Sequence, residues 1–457
     1  MQLNELPNMN SLLGHKLLEG LDSERVKLAA RAYLQELRES VLSGATETLP
    51  TVDECAKSIR DRIDAENIPS LRGLINGTGI ILHTNLGRAP LGTEMYSAVA
   101  EVFCGYCNLE YDLETGRRGS RHSHVEKLIC ELTGAQAAMV VNNNAAATML
   151  MLGALAKGKG VAISRGELVE IGGSFRVPEI IEQSGATLIE VGSTNKTHLH
   201  DYARAVEEKG AQVLLKVHTS NFEIVGFTKS VPISELAEFG AKNNLPVLYD
   251  MGSCFLIAPE AIGLRAGETA SSGIASGADV ICFSGDKLLG SAQAGILAGR
   301  SEYIAAMKKH PLARALRPDK LTLSVLESSL RLCRRPEEAV RQIPVLSMLA
   351  AKPDELKQRA QSLAQRLSQI CAGWKVDVRE AMDETGGGAL PNVSLPGWVV
   401  ALEPVGISTT ELEVRLRHER VIVRINSGAV MISPRTVLSG EDERIVDAFS
   451  CIISDTL

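Results

Sequence analysis

One lysine of this chain stands where an amine can be made reactive. In Phe283-Ser284-Gly285-Asp286-Lys287-Leu288-Leu289-Gly290 it occupies a small, polar, glycine-flanked turn directly after the apolar run Asp279-Val280-Ile281-Cys282. An amine stripped of its water in a structured pocket is a nucleophile, and its commonest use is a Schiff base with pyridoxal phosphate. Taken alone the segment reads first as a solvated lysine in a strand-to-loop turn. Two upstream features shift that balance. In Val140-Val141-Asn142-Asn143-Asn144-Ala145-Ala146-Ala147 a short β-branched run meets small residues and then a helix-forming stretch to about Ala156. Small side chains let backbone N–H groups approach an anion, and a helix N-terminus adds partial positive charge, so this is a phosphate cradle as well as a plain Asn cap. Pro246-Val247-Leu248-Tyr249-Asp250-Met251-Gly252-Ser253 then puts an aspartate at the tip of a buried strand. Such a carboxylate can hold a pyridinium nitrogen protonated, which makes the ring an electron sink.

The elements that must position these residues alternate in type. Between about Gly73 and Ala298, apolar or β-branched runs at Ala138 to Val141, Val161 to Ser164, Thr187 to Val191, Gln212 to Val217, Pro246 to Tyr249, Asp279 to Phe283 and Gln293 to Ala298 are separated by helical patterns. That alternation predicts an α/β fold with a mainly parallel sheet covered by helices on both faces. Ligands bind outside the carboxyl ends of such strands, and Asn144, Asp250 and Lys287 are all expected just past strand ends. Residues 1–70 read as helical: Val26, Ala30, Tyr33, Leu34, Leu37 and Val41 recur at three-to-four spacing, and Thr51-x-x-Glu54 has the form of a capping box. After a long helix expected from Asp319 to about Arg334, residues 343–457 read as a smaller α/β domain. There Gly386-Gly387-Gly388 and Pro391 turn into a strand, and Val421 to Ile425 with Val430 to Ile432 look like a hairpin. The expected domains are 1–70, 71–318 and 319–457.

Composition narrows the function classes. The 457 residues are 45% hydrophobic and 23% charged, with a net charge of -7, which argues against a generic polyanion binder. Residues 1–70 carry 8 Lys and Arg against 12 Asp and Glu, so charge does not announce an RNA-binding module. Neither a signal sequence nor a membrane-length apolar run stands out, and the nine scattered cysteines suit a reducing compartment, so a cytoplasmic location is expected. Cys104-Gly105-Tyr106-Cys107 lacks the second pair that a zinc site needs and reads as packing or incidental thiols. Lys216, in Leu215-Lys216-Val217-His218, also ends a strand and is the rival for Lys287.

Six motifs together carry a family resemblance. Ile75-Asn76-Gly77-Thr78-Gly79, His83-Thr84-Asn85-Leu86-Gly87-Arg88-Ala89, Asn142 to Ala147, Ser164 to Gly173, Val217-His218-Thr219-Ser220-Asn221 and Ser284 to Gly290 resemble bacterial selenocysteine synthases, the L-seryl-tRNA(Sec) selenium transferases. The likeness extends over nearly the whole chain. It implies a fold-type-I pyridoxal-phosphate enzyme of aminotransferase-like architecture, with a helical N-terminal domain that grips tRNA. Lys287 would carry the cofactor, because fold type I runs phosphate loop, aspartate, lysine, and Lys216 precedes the aspartate. Asp250 would face the ring nitrogen, Asn143, Asn144, Ala145 and Ser284 would surround the phosphate, and His218 lies nearest the pocket. Arg88, Arg314 and Arg317 would bind selenophosphate, with Asp286 beside the lysine; an arginine fork suits an oxyanion. Arg314 and Arg317 also read as an exposed helix face. Arg118 and Arg121 would serve a neighbouring subunit, and Arg424 or Arg435 the aminoacyl end.

The resemblance further implies conversion of seryl-tRNA(Sec) to selenocysteinyl-tRNA(Sec) through an aminoacrylyl intermediate, with selenophosphate as donor and a homodecamer as the assembly. It implies no metal, no DNA and no membrane. Departures from the family pattern fall at Ser291-Ala292, Met251 to Cys254 and Ser433-Pro434-Arg435 and leave the cofactor residues intact. Two competing readings are a related lyase acting on a small, phosphorylated amino acid, and a catalytically silent RNA-binding scaffold. The scaffold predicts loss of Lys287, which is retained.

Overall fold

The computed structural model of the protein describes residues 6–45, 48–172, 175–265, 267–391 and 393–454. They fall into two units, 1–73 and 74–457. In the first, the Asp22 side chain accepts from the Arg25 N–H and starts α1 (Ser23–Leu42). Thr51 and Glu54 close a reciprocal capping box that opens α2 (Val52–Asn67), as their spacing predicts. The apolar stripes of both helices meet in one small core of Leu12, Leu18, Val26, Ala30, Cys55, Ala56, Ile59 and Ile63. Burying one stripe against another is what makes short helices persist.

The second unit is built on seven strands: β1 (Ala137–Val141), β2 (Gly160–Ser164), β3 (Thr187–Val191), β4 (Ala211–Val217), β5 (Val247–Gly252), β6 (Val280–Ser284) and β7 (Gly295–Gly299). Their order across the sheet is β1-β7-β6-β5-β4-β2-β3. Every neighbouring pair from β6 to β3 is parallel, and β7 runs antiparallel to both β1 and β6. All residues of β5 and β6 are buried, as a sheet covered on both faces requires. One covering layer packs Val140, Met251, Ile281, Phe283 and Leu326 together, and the other Val141, Leu150, Leu248, Cys282 and Leu297.

A second sheet of four antiparallel strands comprises β8 (Lys375–Glu384), β9 (Ser394–Glu403), β10 (Arg424–Asn426) and β11 (Ala429–Ile432), in the order β8-β9-β11-β10. Helices Pro353–Ile370 and Glu441–Ser454 pack against it. The expected hairpin is confined to β10 and β11. Val421–Ile422 instead pairs in parallel with Ile75–Asn76, a partner that lies far away in the sequence. The long helix forms over Lys320–Cys333, capped by the Asp319 carboxylate. Among the described residues no helix is long and apolar enough to cross a membrane.

Candidate active site

Lys287 sits on the turn that joins antiparallel β6 and β7. The Ser291 N–H donates to the Gly285 carbonyl at 2.9 Å and the Gly290 N–H to the Lys287 carbonyl at 2.8 Å, so the backbone around the lysine is fixed. The residue is only 4% exposed, and no hydrogen bond holds its amine among the described residues. Burial and the neighbouring Arg88 guanidinium push that amine below the ordinary lysine range, against the opposing pull of Asp286 and Asp250. Arg88 itself donates from Nη1 to Asp286 Oδ2 at 2.7 Å. It is thus tied to the residue beside the lysine, from a backbone position with φ of 63° that follows Gly87.

Lys216, the rival, is spoken for. Its Nζ donates to Glu167 Oε1 at 2.7 Å and to the Val231 carbonyl at 3.0 Å, and Glu167 is buried. A buried charge paired this way is structural, because releasing it would strand Glu167.

Asp250 lies within β5 rather than just past its end, since the strand continues to Gly252. Its register places it beside Val217 of β4 and Cys282 of β6. The carboxylate is 3% exposed, yet both oxygens are satisfied: Oδ1 accepts from Asn144 Nδ2 at 2.8 Å and the Gly252 N–H at 2.9 Å, and Oδ2 from Thr148 Oγ1 at 2.7 Å. Thr148, one helical turn beyond Asn144, escaped the sequence reading because nothing local marks a hydroxyl that reaches a carboxylate 102 residues away.

The anion end of the site is assembled by register. Val141, Gly295 and Ser284 lie side by side across β1, β7 and β6. Asn143 caps the helix Asn144–Leu155 by accepting from the Ala146 N–H at 2.8 Å, and Ala145 stands in its first turn. A Cβ at Gly295 would come within 2.1 Å of the Asn143 carbonyl oxygen, so glycine is what lets this helix start close against the beginning of β7. Asn143, Asn144, Ala145 and Ser284 are therefore gathered at one edge of the sheet.

The remaining candidates separate. The His218 N–H donates to the Asp250 carbonyl at 2.9 Å, while His218 Nδ1 is buried without a partner. Arg314 is exposed on the short helix Leu312–Ala315. The Asn142 N–H donates to the Leu316 carbonyl at 2.9 Å, which sets the neighbouring Arg317 beside the phosphate loop. Arg317 lies 3.5 Å from Glu110, an acidic residue that sequence reading did not single out. Glu110 also takes Arg118 at 2.9 Å and Arg121 Nε at 3.0 Å, and Arg121 reaches the Pro318 carbonyl at 2.5 Å. Within its own chain Arg121 is thus fully engaged, whereas Arg118 remains 73% exposed at its side chain.

Arg435 needs correction as a substrate contact. It is 3% exposed, and its Nε donates to Asp383 at 2.9 Å, Nη1 to the Met348 carbonyl at 2.7 Å and Nη2 to the Pro396 carbonyl at 2.6 Å. No face of the guanidinium is left to grip an aminoacyl group. Arg424 faces the same carboxylate at 3.6 Å. Cys254 is buried and its thiol is pushed well up by desolvation, the opposite of activation.

Pyridoxal phosphate fits this residue set. A buried amine pushed below the ordinary lysine range, an aspartate with donors on both oxygens and a helix N-terminus suit its aldehyde, ring nitrogen and phosphate. Four buried polar atoms in the segments around Lys287 also lack partners: His83 Nδ1, Asn144 Oδ1, His218 Nδ1 and Ser220 Oγ. Buried polar atoms without partners are rare in proteins and signal a missing polar occupant.

Comparison with known proteins agrees. The family model described as L-seryl-tRNA selenium transferase matches residues 74–438. An L-seryl-tRNA(Sec) selenium transferase of Moorella thermoacetica is 46% identical over 452 residues, covering 98% of this chain and 96% of the relative. That of Geobacter metallireducens is 46% identical over 455 residues, covering 98% of each. Among solved structures, D-glucosaminate-6-phosphate ammonia-lyase superposes with a TM-score of 0.57 at 21% identity, over 86% of this chain and 98% of its own, and so shares the fold. The architecture is that of the fold-type-I pyridoxal-phosphate enzymes, and the chain belongs to the L-seryl-tRNA selenium transferase family.

Proposed function

We propose that this protein converts seryl-tRNA(Sec) to selenocysteinyl-tRNA(Sec), with pyridoxal phosphate on Lys287 and selenophosphate as the selenium donor. The observation that carries the reading is identity over 98% of the chain to a relative of that name, a span that takes in the helical N-terminal unit as well as the Lys287 site. A lyase acting on a free amino acid has no use for a tRNA-gripping module, and residues 1–70 are assigned that role.

When bound, the cofactor supplies an electron sink for the pair released at the seryl α-carbon. Lys287 would hold its aldehyde carbon, Asp250 its ring nitrogen, and Ser284 with the N-terminal amides at Asn143, Asn144 and Ala145 its phosphate. The protein's own share is proton handling and positioning. Burial and the Arg88 guanidinium both favour the unprotonated form of the Lys287 amine, the form that would take the α-proton. Asp286 orients Arg88 toward the same side of the site, where a guanidinium can bind an oxyanion in two-pronged fashion. Arg314 and Arg317 complete the proposed selenophosphate set, and His218 is assigned to the cofactor ring. Burial of the whole turn keeps water from a reactive dehydrated product.

A homo-oligomer, with a decamer as the specific form, is part of the proposal. Its support is bare aromatic surface, with Tyr96 at 75%, Phe103 at 64% and Tyr106 at 108% exposure in the single chain, together with the exposed Arg118.

The test is turnover. Purified protein loaded with pyridoxal phosphate should form selenocysteinyl-tRNA from seryl-tRNA(Sec) and selenophosphate, and Lys287→Ala should not. Turnover of a free or phosphorylated amino acid, with seryl-tRNA left untouched, would replace this reading with the lyase.

A further inference from the structure

Ser220 follows β4 and is 2% exposed, and its hydroxyl has no partner among the described residues. Its N–H turns back to the His218 carbonyl at 2.9 Å. A buried hydroxyl left empty is costly, and it is explained when a ligand supplies the missing bond. Ser220 lines a cavity of about 380 Å³, bounded also by Asn221, Gly386, Gly387, Gly388 and Pro391. That is the lower range of small-ligand sites.

The opposite wall is a bare glycine loop. Gly386, Gly387 and Gly388 have φ of 71°, 57° and 69°, conformations that side chains rarely adopt. A Cβ at Gly386 would meet Ile80 Cγ2 at 2.4 Å, and one at Gly387 the Leu82 carbonyl oxygen at 2.4 Å, so the loop is pressed flat on that side. At Gly388 the added Cβ would lie 3.5 Å from Lys287 Nζ and 3.7 Å from Ser220 Oγ. One point in space therefore touches both the reactive amine and the orphaned hydroxyl, and only the lack of a side chain keeps it open.

Two negative features of this cavity's lining residues define its ligand. None of Asn143, Asn144, Asp250 and Ser284, the residues assigned to the cofactor, is among them, so the space is separate from the cofactor cradle. Among its described lining residues there is no lysine or arginine, and Glu384 adds a carboxylate. With the Lys287 amine taken up by the cofactor, a free amino acid would bring its own carboxylate to these lining residues with no cation among them to meet it, whereas an amino acid esterified through its carboxyl brings none. Arg435, the arginine expected at this end, is buried against Asp383 instead.

We propose that Ser220 and the Gly386–Gly388 loop form the seat of the seryl group, with the Ser220 hydroxyl bonded to the seryl β-oxygen and the loop admitting an ester but not a free amino acid. This rests on the function proposed above and names the residues that read its amino acid.

The protein loaded with pyridoxal phosphate is titrated with L-serine methyl ester, L-alanine methyl ester and free L-serine, following the change in the visible absorbance of the cofactor. Wild type should bind the serine ester about tenfold more tightly than the alanine ester, the effect of one satisfied hydroxyl, and should bind free L-serine more weakly than its ester. Ser220→Ala should bring the two esters together, and Ser220→Thr, which keeps the hydroxyl, should retain the preference. Gly388→Ala should weaken both esters by at least about tenfold while the absorbance of the resting enzyme stays intact. Undiminished preference in Ser220→Ala overturns the assignment. So does a shift in the pH midpoint of the resting absorbance with the preference intact, which would put the hydroxyl on the cofactor. Equal binding of free L-serine and its ester overturns the ester selection. A protein that retains no cofactor would sink the proposed function and this inference with it; a coloured enzyme that fails the ester titrations would sink this inference alone.

Discussion

Arg435→Met separates a structural arginine from a substrate-binding one. In the folded protein Asp383 has no exposed side-chain surface, and its Oδ2 accepts from Arg435 Nε at 2.9 Å and Ser433 Oγ at 3.1 Å. Removing the guanidinium leaves that carboxylate with one neutral donor and Arg424 at 3.6 Å, and it also strands the Met348 and Pro396 carbonyls. Breaking a buried pair from one side costs about 3–5 kcal/mol. For a cooperative unit of roughly 380 residues, with an unfolding entropy near 2.1 cal/mol/K per residue, the melting temperature should fall by about 4–6 °C. The sign of the pH dependence is set by Asp383. Burial already raises its carboxyl above the ordinary range while Arg435 pulls it down, so losing the arginine raises it further. A folded value above the unfolded one destabilises the folded state at high pH, and the loss is relieved as pH falls through the raised value. The deficit should therefore shrink as the pH is lowered from neutral. Pairing the change with Asp383→Leu should recover most of the stability, because an apolar pair of similar size needs no desolvation. Thermal melts followed by circular dichroism read all three. A variant of wild-type stability with a raised KM for seryl-tRNA would refute the reasoning and return Arg435 to the substrate.

Other consequences follow from the same geometry. Thr148→Val keeps the shape but removes one of three donors to the Asp250 carboxylate, and should cost about 1.5–3 kcal/mol in urea denaturation of the cofactor-free protein; an unchanged midpoint would count against that bond. Because the Lys287 amine is depressed in the folded state, cofactor capture by the apoprotein should rise with pH and level off before the ordinary lysine value of 10.5. Arg88→Gln should move that midpoint up and Asp286→Asn should move it down, and movement in the same direction would break the assignment. By the same sign, the charge-burial cost of Lys287 weakens folding as pH falls below 10.5 and is absent above it. Iodoacetamide should label the exposed Cys451, while Cys254 and Cys282, buried and with thiols pushed well up, should react only after unfolding.

What the sequence disclosed and what it hid divide along the range of the interactions. Lys287, Asp250 and Asn143–Ala145 stand out in the sequence as candidates because each is announced by its neighbours: an apolar run with small or glycine residues beside a chemical group. All seven strands of the large sheet announced themselves as short apolar or β-branched runs, although Glu190, Lys216 and Asp250 fall within three of them. β8 was missed because Lys375, Asp377, Arg379, Glu380, Asp383 and Glu384 disguise a half-exposed edge strand as a polar linker. Asp250 was placed one step too far along, since Met251 and Gly252 extend β5 past the point where a turn signal begins. Arg435 read as a ligand contact because charged residues are seldom buried, and its partner lies 52 positions away. Thr148, Glu110 and Ser220 carry no local mark at all, and their roles come only from what the fold brings to them.

The central claim is that one nitrogen, Lys287 Nζ, holds the cofactor. Borohydride reduction of the protein after exposure to pyridoxal phosphate, followed by peptide mapping in a mass spectrometer, tests it most directly. A phosphopyridoxyl group on the peptide bearing Ser284 to Gly290 is the predicted result. An unmodified Lys287, with the group on Lys216 or on no lysine, would contradict it.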